Sequence, residues 1–154
     1  EKRLNTVAQL AEFNIQVWGD QGWKQIEPYG VTHRGYAGHF KELNAIYTSS
    51  SINIDIGRIY QSDIVPMRIF DILSCGGFVL AEYSPALDDL FVLQEELVCW
   101  KSPQELKELT QYFLSNPREA RQIAEAGRER VRKDHRIKDR VRGMLQALNK
   151  RAAA

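Results

Sequence analysis

The chain has 154 residues, 44% hydrophobic and 27% charged, the balance of one globular domain with a real core rather than of a disordered chain. Its longest apolar run is far short of the roughly 20 residues a membrane helix needs, and no apolar signal segment opens it. Net charge is +1, yet residues 117–151 hold 12 Lys/Arg against 5 Asp/Glu, which leaves this tail near +7 and the rest near −6. The plain reading of the tail is a solvated helical face, with attraction to an anionic surface or substrate next. Peripheral contact with a membrane through these basic helices belongs to that second reading. Aromatics are not interleaved with the charge, which argues against nucleic acid. Cys75 and Cys99 have no metal-ligand spacing and read as two reduced, buried thiols of a cytoplasmic protein. The chain opens on Glu1 with an amphipathic helix at once, which reads as a piece of a longer protein.

Leu4, Val7, Ala8, Leu10 and Ala11 recur at helical spacing, so the opening segment is a predicted helix ending near Phe13. Residues 15–19 form a short predicted strand that stops at Gly19. Residues 20–29, rich in Gly, Asp and Pro, read as loop, and residues 31–34 as a second short strand. A helix from about His39 to Thr48 carries Phe40, Leu43, Ile46 and Tyr47 on one face. Ile52, Ile54 and Ile56 alternate with polar neighbours, which marks a strand closed by Gly57. Residues 58–65 are loop, and Pro66 opens a helix because its missing N–H has no partner in a first turn. Met67, Ile69, Phe70 and Leu73 supply the predicted buried stripe, and Gly76-Gly77 the C-cap. Residues 78–81 form an apolar strand covered on both faces, and residues 97–100 another.

From there the pattern is helical. Ser102 and Glu105 form a predicted capping box, and Asn116 with Glu119 repeats it. The last helix gathers Val141, Met144, Leu145 and Leu148 on one side. Strands separated by helices imply a Rossmann-like α/β parallel sheet with helices on both faces and a helical C-terminal tail. Ligands of such sheets sit beyond the carboxyl ends of the strands.

The segment from Ser62 to Leu80 follows a strand, opens a helix and closes with glycines. The free amides of Met67 and Arg68, with the helix dipole, make an anion site. Arg68 adds a guanidinium suited to bidentate contact with a diphosphate. Asp71 is out of place among Ile69, Phe70, Ile72 and Leu73. It either accepts two neighbouring hydroxyls, as of a ribose, or pairs with Arg68 three residues earlier. His39 reads as a partner of Glu42, His135 as a cap of the basic helices, and Asp88 and Asp89 as solvated loop acids. No Ser/His/Asp or Cys/His array is evident, so nucleophilic catalysis by this piece is not expected.

Asp63 and Asp71, eight positions apart, resemble the Glu-x7-Glu motif of retaining glycosyltransferases of the GT-B type, with Asp in place of both acids. Arg68-Ile-Phe-Asp-Ile-Leu-Ser-Cys-Gly-Gly-Phe-Val-Leu80 is similar to the R-x-F-E-x-x-A-C-G-G-x-x-L signature of the group-1 branch that includes CgeB-like spore-maturation proteins. Val17-Trp18-Gly19, Tyr36-Ala37-Gly38 before Glu42, Leu43 and Tyr47, then Ile52-Asn53-Ile54 extend the likeness. Ile123-Ala-Glu-Ala-Gly127, Arg130, Val131, His135 and Arg140 carry it into the tail.

The resemblance implies that residues 1–154 are one C-terminal, nucleotide-sugar-binding domain whose N-terminal partner domain handles the acceptor. By position, Asp71 takes the ribose, Asp63 the transferred sugar, and Met67 and Arg68 the diphosphate. His33, Arg34 and Tyr36 fall on the base-contacting loop, with a solvated turn as the alternative. Asp63 and Arg68 become the catalytic residues, the donor a nucleoside-diphosphate sugar, and no metal or other cofactor is implied. A family member also carries a first strand before the opening helix, so the sheet here is expected to lack it. The competing expectation, motivated by the two Glu-to-Asp changes, is a catalytically inactive nucleotide-binding or interaction module of the same fold.

Overall fold

The computed structural model describes residues 2–39, 41–57 and 64–152. Helix α1 (Lys2–Ala8) leads into a 3₁₀ turn at Ala11–Phe13, and strand β1 (Gln16–Val17) follows. A second 3₁₀ segment, Gln21–Tyr29, connects to strand β2 (Thr32–His33), which pairs with β1 in parallel, Gln16 beside Thr32. Helix α2 (Glu42–Ser49), strand β3 (Asn53–Asp55), helix α3 (Met67–Ser74) and strand β4 (Val79–Glu82) come next. A short helix α4 (Pro85–Asp88) precedes strand β5 (Val98–Trp100), and helices α5 (Pro103–Ser115), α6 (Pro117–Asp134) and α7 (Ile137–Ala152) finish the chain. Strands β3, β4 and β5 form a second parallel sheet in that order, with Ile54 beside Leu80 and Ala81 beside Cys99. This is the expected α/β architecture with a helical C-terminal tail.

Side chains of β4 alternate between two cores. Leu80 joins Val98, Trp100, Leu10 and Leu106 on one face, and Val79 and Ala81 join Ile69, Leu73 and Val131 on the other. Both faces are therefore dry, which explains why the strand reads as an unbroken apolar run. Trp100 is fully buried and satisfies its indole N–H on the Leu80 carbonyl at 3.3 Å. Burial pushes the Cys99 thiol up to about 12, whereas Cys75 is only half-buried. Iodoacetamide at about pH 8 is expected to alkylate Cys75 and spare Cys99, because the thiolate is the nucleophile. Equal labelling of the two in the folded protein would contradict the packing around β5.

Several boundaries differ from expectation for identifiable reasons. The opening helix ends at Ala8 rather than near Phe13, where the Leu10 and Phe13 amides bond three residues back and Asn14 turns left-handed. Residues 20–29 are ordered rather than loop: Asp20 accepts from the Gly22 amide at 2.8 Å, and Ile26 is driven fully into the core. Met67 is 57% exposed, and Ile72 takes its place in the buried stripe. Pro66 is the N-cap of α3, one residue ahead of the position expected for it.

The glycines after α3 behave as expected. Gly76 adopts φ +80°, its amide bonds to Leu73 and that of Gly77 to Ile72, so two last-turn carbonyls are satisfied. At Ser102 the hydroxyl accepts from the Glu105 amide at 3.1 Å, while the Glu105 carboxylate takes the Lys101 amide instead of that of Ser102. The second capping box does not form. The Asn116 side chain donates back to the Tyr112 carbonyl, and Glu119 accepts from the Tyr112 hydroxyl at 2.7 Å.

Candidate functional site

An open cleft of about 1210 Å³ runs between the two sheets, and α3 presents Met67, Arg68 and Asp71 to it. At the N-terminus of α3 the Pro66 carbonyl accepts from the Ile69 amide at 3.1 Å. The amides of Met67 and Arg68 belong to the first turn, where a helix directs N–H groups outward along its axis. Met67 and Arg68 both line the cleft.

Arg68 does not pair with Asp71, as one of the two sequence readings had it. It turns to Asp55 on β3, whose Oδ1 accepts from Nε at 2.7 Å and also from Nη2. The Asp55 side chain is 2% exposed and that of Arg68 40% exposed, so the carboxylate is buried and the guanidinium straddles protein and solvent. Charge at this end is thus matched locally, and what remains for an anion is the helix amides and the outward part of the guanidinium. Asp55 is the site residue that sequence reasoning passed over. Its strand is read from the alternation of Ile52, Ile54 and Ile56, and that pattern gives the polar positions between them no role.

With Arg68 engaged elsewhere, Asp71 stands one turn into α3 and lines the cleft and a neighbouring pocket of about 190 Å³ that also touches His39, Tyr47 and Cys75. Burial pushes the Tyr47 phenol up, the Arg68 guanidinium draws it back, and the Asp71 carboxylate, Cys75 and Asp55 add to the rise. Tyr47 therefore holds its proton and offers an O–H beside Asp71. A carboxylate acceptor, a phenol donor and a helix N-terminus within one cleft suit a ligand that carries both hydroxyls and an anionic group.

The remaining expected residues lie elsewhere. His33, at the carboxyl end of β2, shares a 3.1 Å hydrogen bond with the Gly19 carbonyl. Arg34 donates from Nε to the Gln16 side chain at 3.2 Å, and Tyr36 is 82% exposed. None of these three lines the cleft that holds Arg68 and Asp71. Asp63 lies outside the described residues, as does Phe40. Glu42 accepts from the Gly38 amide. His135 is the C-cap of α6, as read from the sequence, and its half-buried ring shares a hydrogen bond with the Leu90 carbonyl and packs on Phe70 and Phe91. Asp88 accepts from the Tyr83 hydroxyl at 2.7 Å on α4, so this acid sits on a short helix rather than a loop. Among the described residues no group of three or more His, Cys, Asp or Glu side chains is placed to hold a metal, and no helix is long and apolar enough to cross a membrane.

Comparison with known proteins bears on this geometry. No curated protein matches the chain. Among solved structures, a sucrose-phosphate synthase from Thermosynechococcus elongatus superposes with a TM-score of 0.75 at 19% identity. The match covers 99% of this chain and 43% of that one, so the chain spans less than half the length of its structural relative. At that identity the likeness establishes the fold. The family model described as "Glycosyl transferase-like" matches residues 1–146, through both sheets and the helix that carries Arg68 and Asp71. The chain belongs to the glycosyl transferase-like family.

Proposed function

We propose that this domain binds the donor of a GT-B glycosyltransferase, as the C-terminal half of a protein whose N-terminal half receives the acceptor, in the branch that includes CgeB-like proteins. The donor is a nucleoside-diphosphate sugar. The amides of Met67 and Arg68 and the outer guanidinium nitrogen of Arg68 hold the diphosphate, Asp71 accepts the ribose hydroxyls, and Asp63 serves the transferred sugar. His33, Arg34 and Tyr36 lie outside the cleft, so they serve as the base-contacting turn only for a donor whose base extends beyond it.

Departure of the nucleoside diphosphate leaves negative charge on an oxygen beside the N-terminus of α3. Oriented donors stabilise that charge without reorganising, and loss of one typically costs on the order of 10²–10³ in rate. No metal is invoked in this scheme. The observation that carries the reading is the joint placement of Met67 and Arg68, in the first turn of α3, and Asp71 in one cleft of a chain belonging to the glycosyl transferase-like family.

The test is a thermal-shift series of UDP-, GDP- and ADP-glucose on the full-length protein. A donor present at about 100 times its Kd adds about 2.7 kcal/mol, a rise of several degrees. Asp71→Ala is expected to weaken that donor about 100-fold, since two hydrogen bonds to a charged acceptor are lost. Absence of any shift, or undiminished affinity in the variant, would defeat the proposal. Binding without sugar turnover would instead select the inactive nucleotide-binding module, the reading that the paired Glu-to-Asp changes favour.

A further inference from the structure

Of the three tryptophans in the chain, two line the cleft. Trp100 is fully buried in the first core, and Trp23 packs against that core while bordering the cleft. Trp18 differs from both. It is half-buried and lines the cleft, yet among the described residues it belongs to neither core. An indole carries a large apolar surface, and leaving one at a cleft wall gives up burial that packing in a core would have supplied. Binding pockets are where such rings recur, beside a few polar groups that fix orientation.

The backbone that carries Trp18 is held on both sides. The carbonyl of Val17, the last residue of β1, accepts from the Arg34 amide at 2.8 Å, and the Gly19 amide donates to the Gly35 carbonyl at 2.8 Å. The Trp23 ring presses on Gly19: a Cβ there would lie 2.5 Å from Trp23 Cδ1 and 2.8 Å from Nε1. The missing side chain at position 19 is what lets this second indole lie against the chain next to Trp18. Trp18 is therefore set by a fixed strand end and not by a free loop, and a ring placed in advance loses little freedom when a ligand covers it.

The two walls of the cleft differ in chemistry. Trp18 extends β1, in the sheet of two strands, whereas Arg68 is bonded to Asp55, the last residue of β3, in the sheet of three. Both residues thus mark carboxyl ends of strands, the ends at which α/β sheets hold their ligands. A guanidinium on one wall and a flat aromatic face on the other match a ligand that is anionic at one end and planar at the other. A nucleotide has this form, and every base offers a π-face for stacking.

We propose that Trp18 is the platform on which the base of the bound nucleotide stacks, so that the base stays inside the cleft. The inference rests on the donor-binding reading and adds to it the residue that holds the base. Stacking ignores the hydrogen-bonding edges of a base, so Trp18 contributes affinity for UDP, GDP and ADP alike and leaves the choice among them to other groups.

Titration of the full-length protein with UDP, GDP and ADP tests this, in the wild type and in Trp18→Leu, Trp18→Phe and Tyr36→Ala. For the tightest of the three nucleotides, Trp18→Leu is expected to weaken binding by about 10-fold to about 100-fold, because apolar bulk stays and the aromatic face goes. Trp18→Phe keeps a face and stays within about threefold of the wild type, and Tyr36→Ala leaves affinity unchanged. Binding by Trp18→Leu within about twofold of the wild type overturns the inference and leaves the donor reading intact, as does a loss confined to Tyr36→Ala. Equal losses in Trp18→Leu and Trp18→Phe also overturn it, since Trp18 would then only fill space. If Trp18→Leu does not fold, tryptophan emission decides: quenching by nucleotide in the wild type that is lost in Trp18→Phe supports the stack, and equal quenching in both refutes it. A wild type that binds none of the three nucleotides defeats the donor reading and this inference with it.

Discussion

Arg68→Ala is expected to destabilise the fold by about 3–5 kcal/mol, the usual cost of stranding one member of a buried ion pair. The cost falls on Asp55, which is 1% exposed and cannot be rehydrated without opening β3. The reciprocal change is milder. Asp55→Asn removes the buried charge, keeps an oxygen acceptor for Arg68, and leaves the guanidinium, already 40% exposed, free to turn to water. About 1 kcal/mol is expected for it, the net worth of one hydrogen bond. In a protein of this size the Arg68→Ala loss corresponds to a melting temperature lower by about 10 °C. Thermal or urea unfolding of both variants measures the difference. Equal destabilisation, or a greater loss in Asp55→Asn, would show that the pair is not what shields the carboxylate. The order also matters for testing the proposed donor site, because a loss of binding in Arg68→Ala has to be separated from lost folding, whereas Asp71→Ala carries no such penalty from this pair.

Gly127→Ala and Gly143→Ala should move stability in opposite directions, although both glycines stand inside helices. Alanine is worth about 1 kcal/mol over glycine in a helix interior. At Gly143 a Cβ meets nothing within 4 Å, so that gain stands alone and α7 is stabilised. At Gly127 a Cβ would sit 2.2 Å from the Glu96 carbonyl oxygen and 2.8 Å from Leu73 Cδ2. Backbone cannot swing aside as a side chain can, so α6 has to lift off the β5 approach and off α3. Overpacking of this kind costs about 3 kcal/mol, and the propensity gain only partly offsets it. A net loss of about 2 kcal/mol is expected for Gly127→Ala in chemical denaturation. A neutral result would mean that α6 is not held against α3 as closely as the glycine implies.

These contacts explain what the sequence could and could not convey. Order and type of the main elements follow from local patterns: the Ile52, Ile54, Ile56 alternation, the unbroken run 78–81, and the glycine pair after α3. Those patterns report a residue's relation to its own element. Asp55 was missed because its partner is 13 residues away on another element, and period-two alternation assigns odd positions to solvent only when one face of the sheet is wet. Here both faces are covered, so a strand acid had to find a cation. Residues 20–29 failed for a related reason: glycine and proline suggested a loop, but one Asx cap and the burial of Ile26 were enough to order them. The second capping box had the right residue types, and Tyr112, invisible to a motif four residues long, took both of its side chains.

The bond between β3 and α3 has a further consequence for how a polyanion arrives. A guanidinium locked to a carboxylate projects a dipole, whose field fades faster with distance than that of a lone cation. On the proposed donor-binding reading, long-range guidance would then fall to the basic helices, whose Ile137 borders the cleft and whose Arg140 lies 4.5 Å from the Phe70 ring of α3, and Arg68 would act only at contact. There, on the proposed reading, a phosphate oxygen would have to share a cation that already has a tenant, which would favour ligands able to offer α3 two oxygens at once.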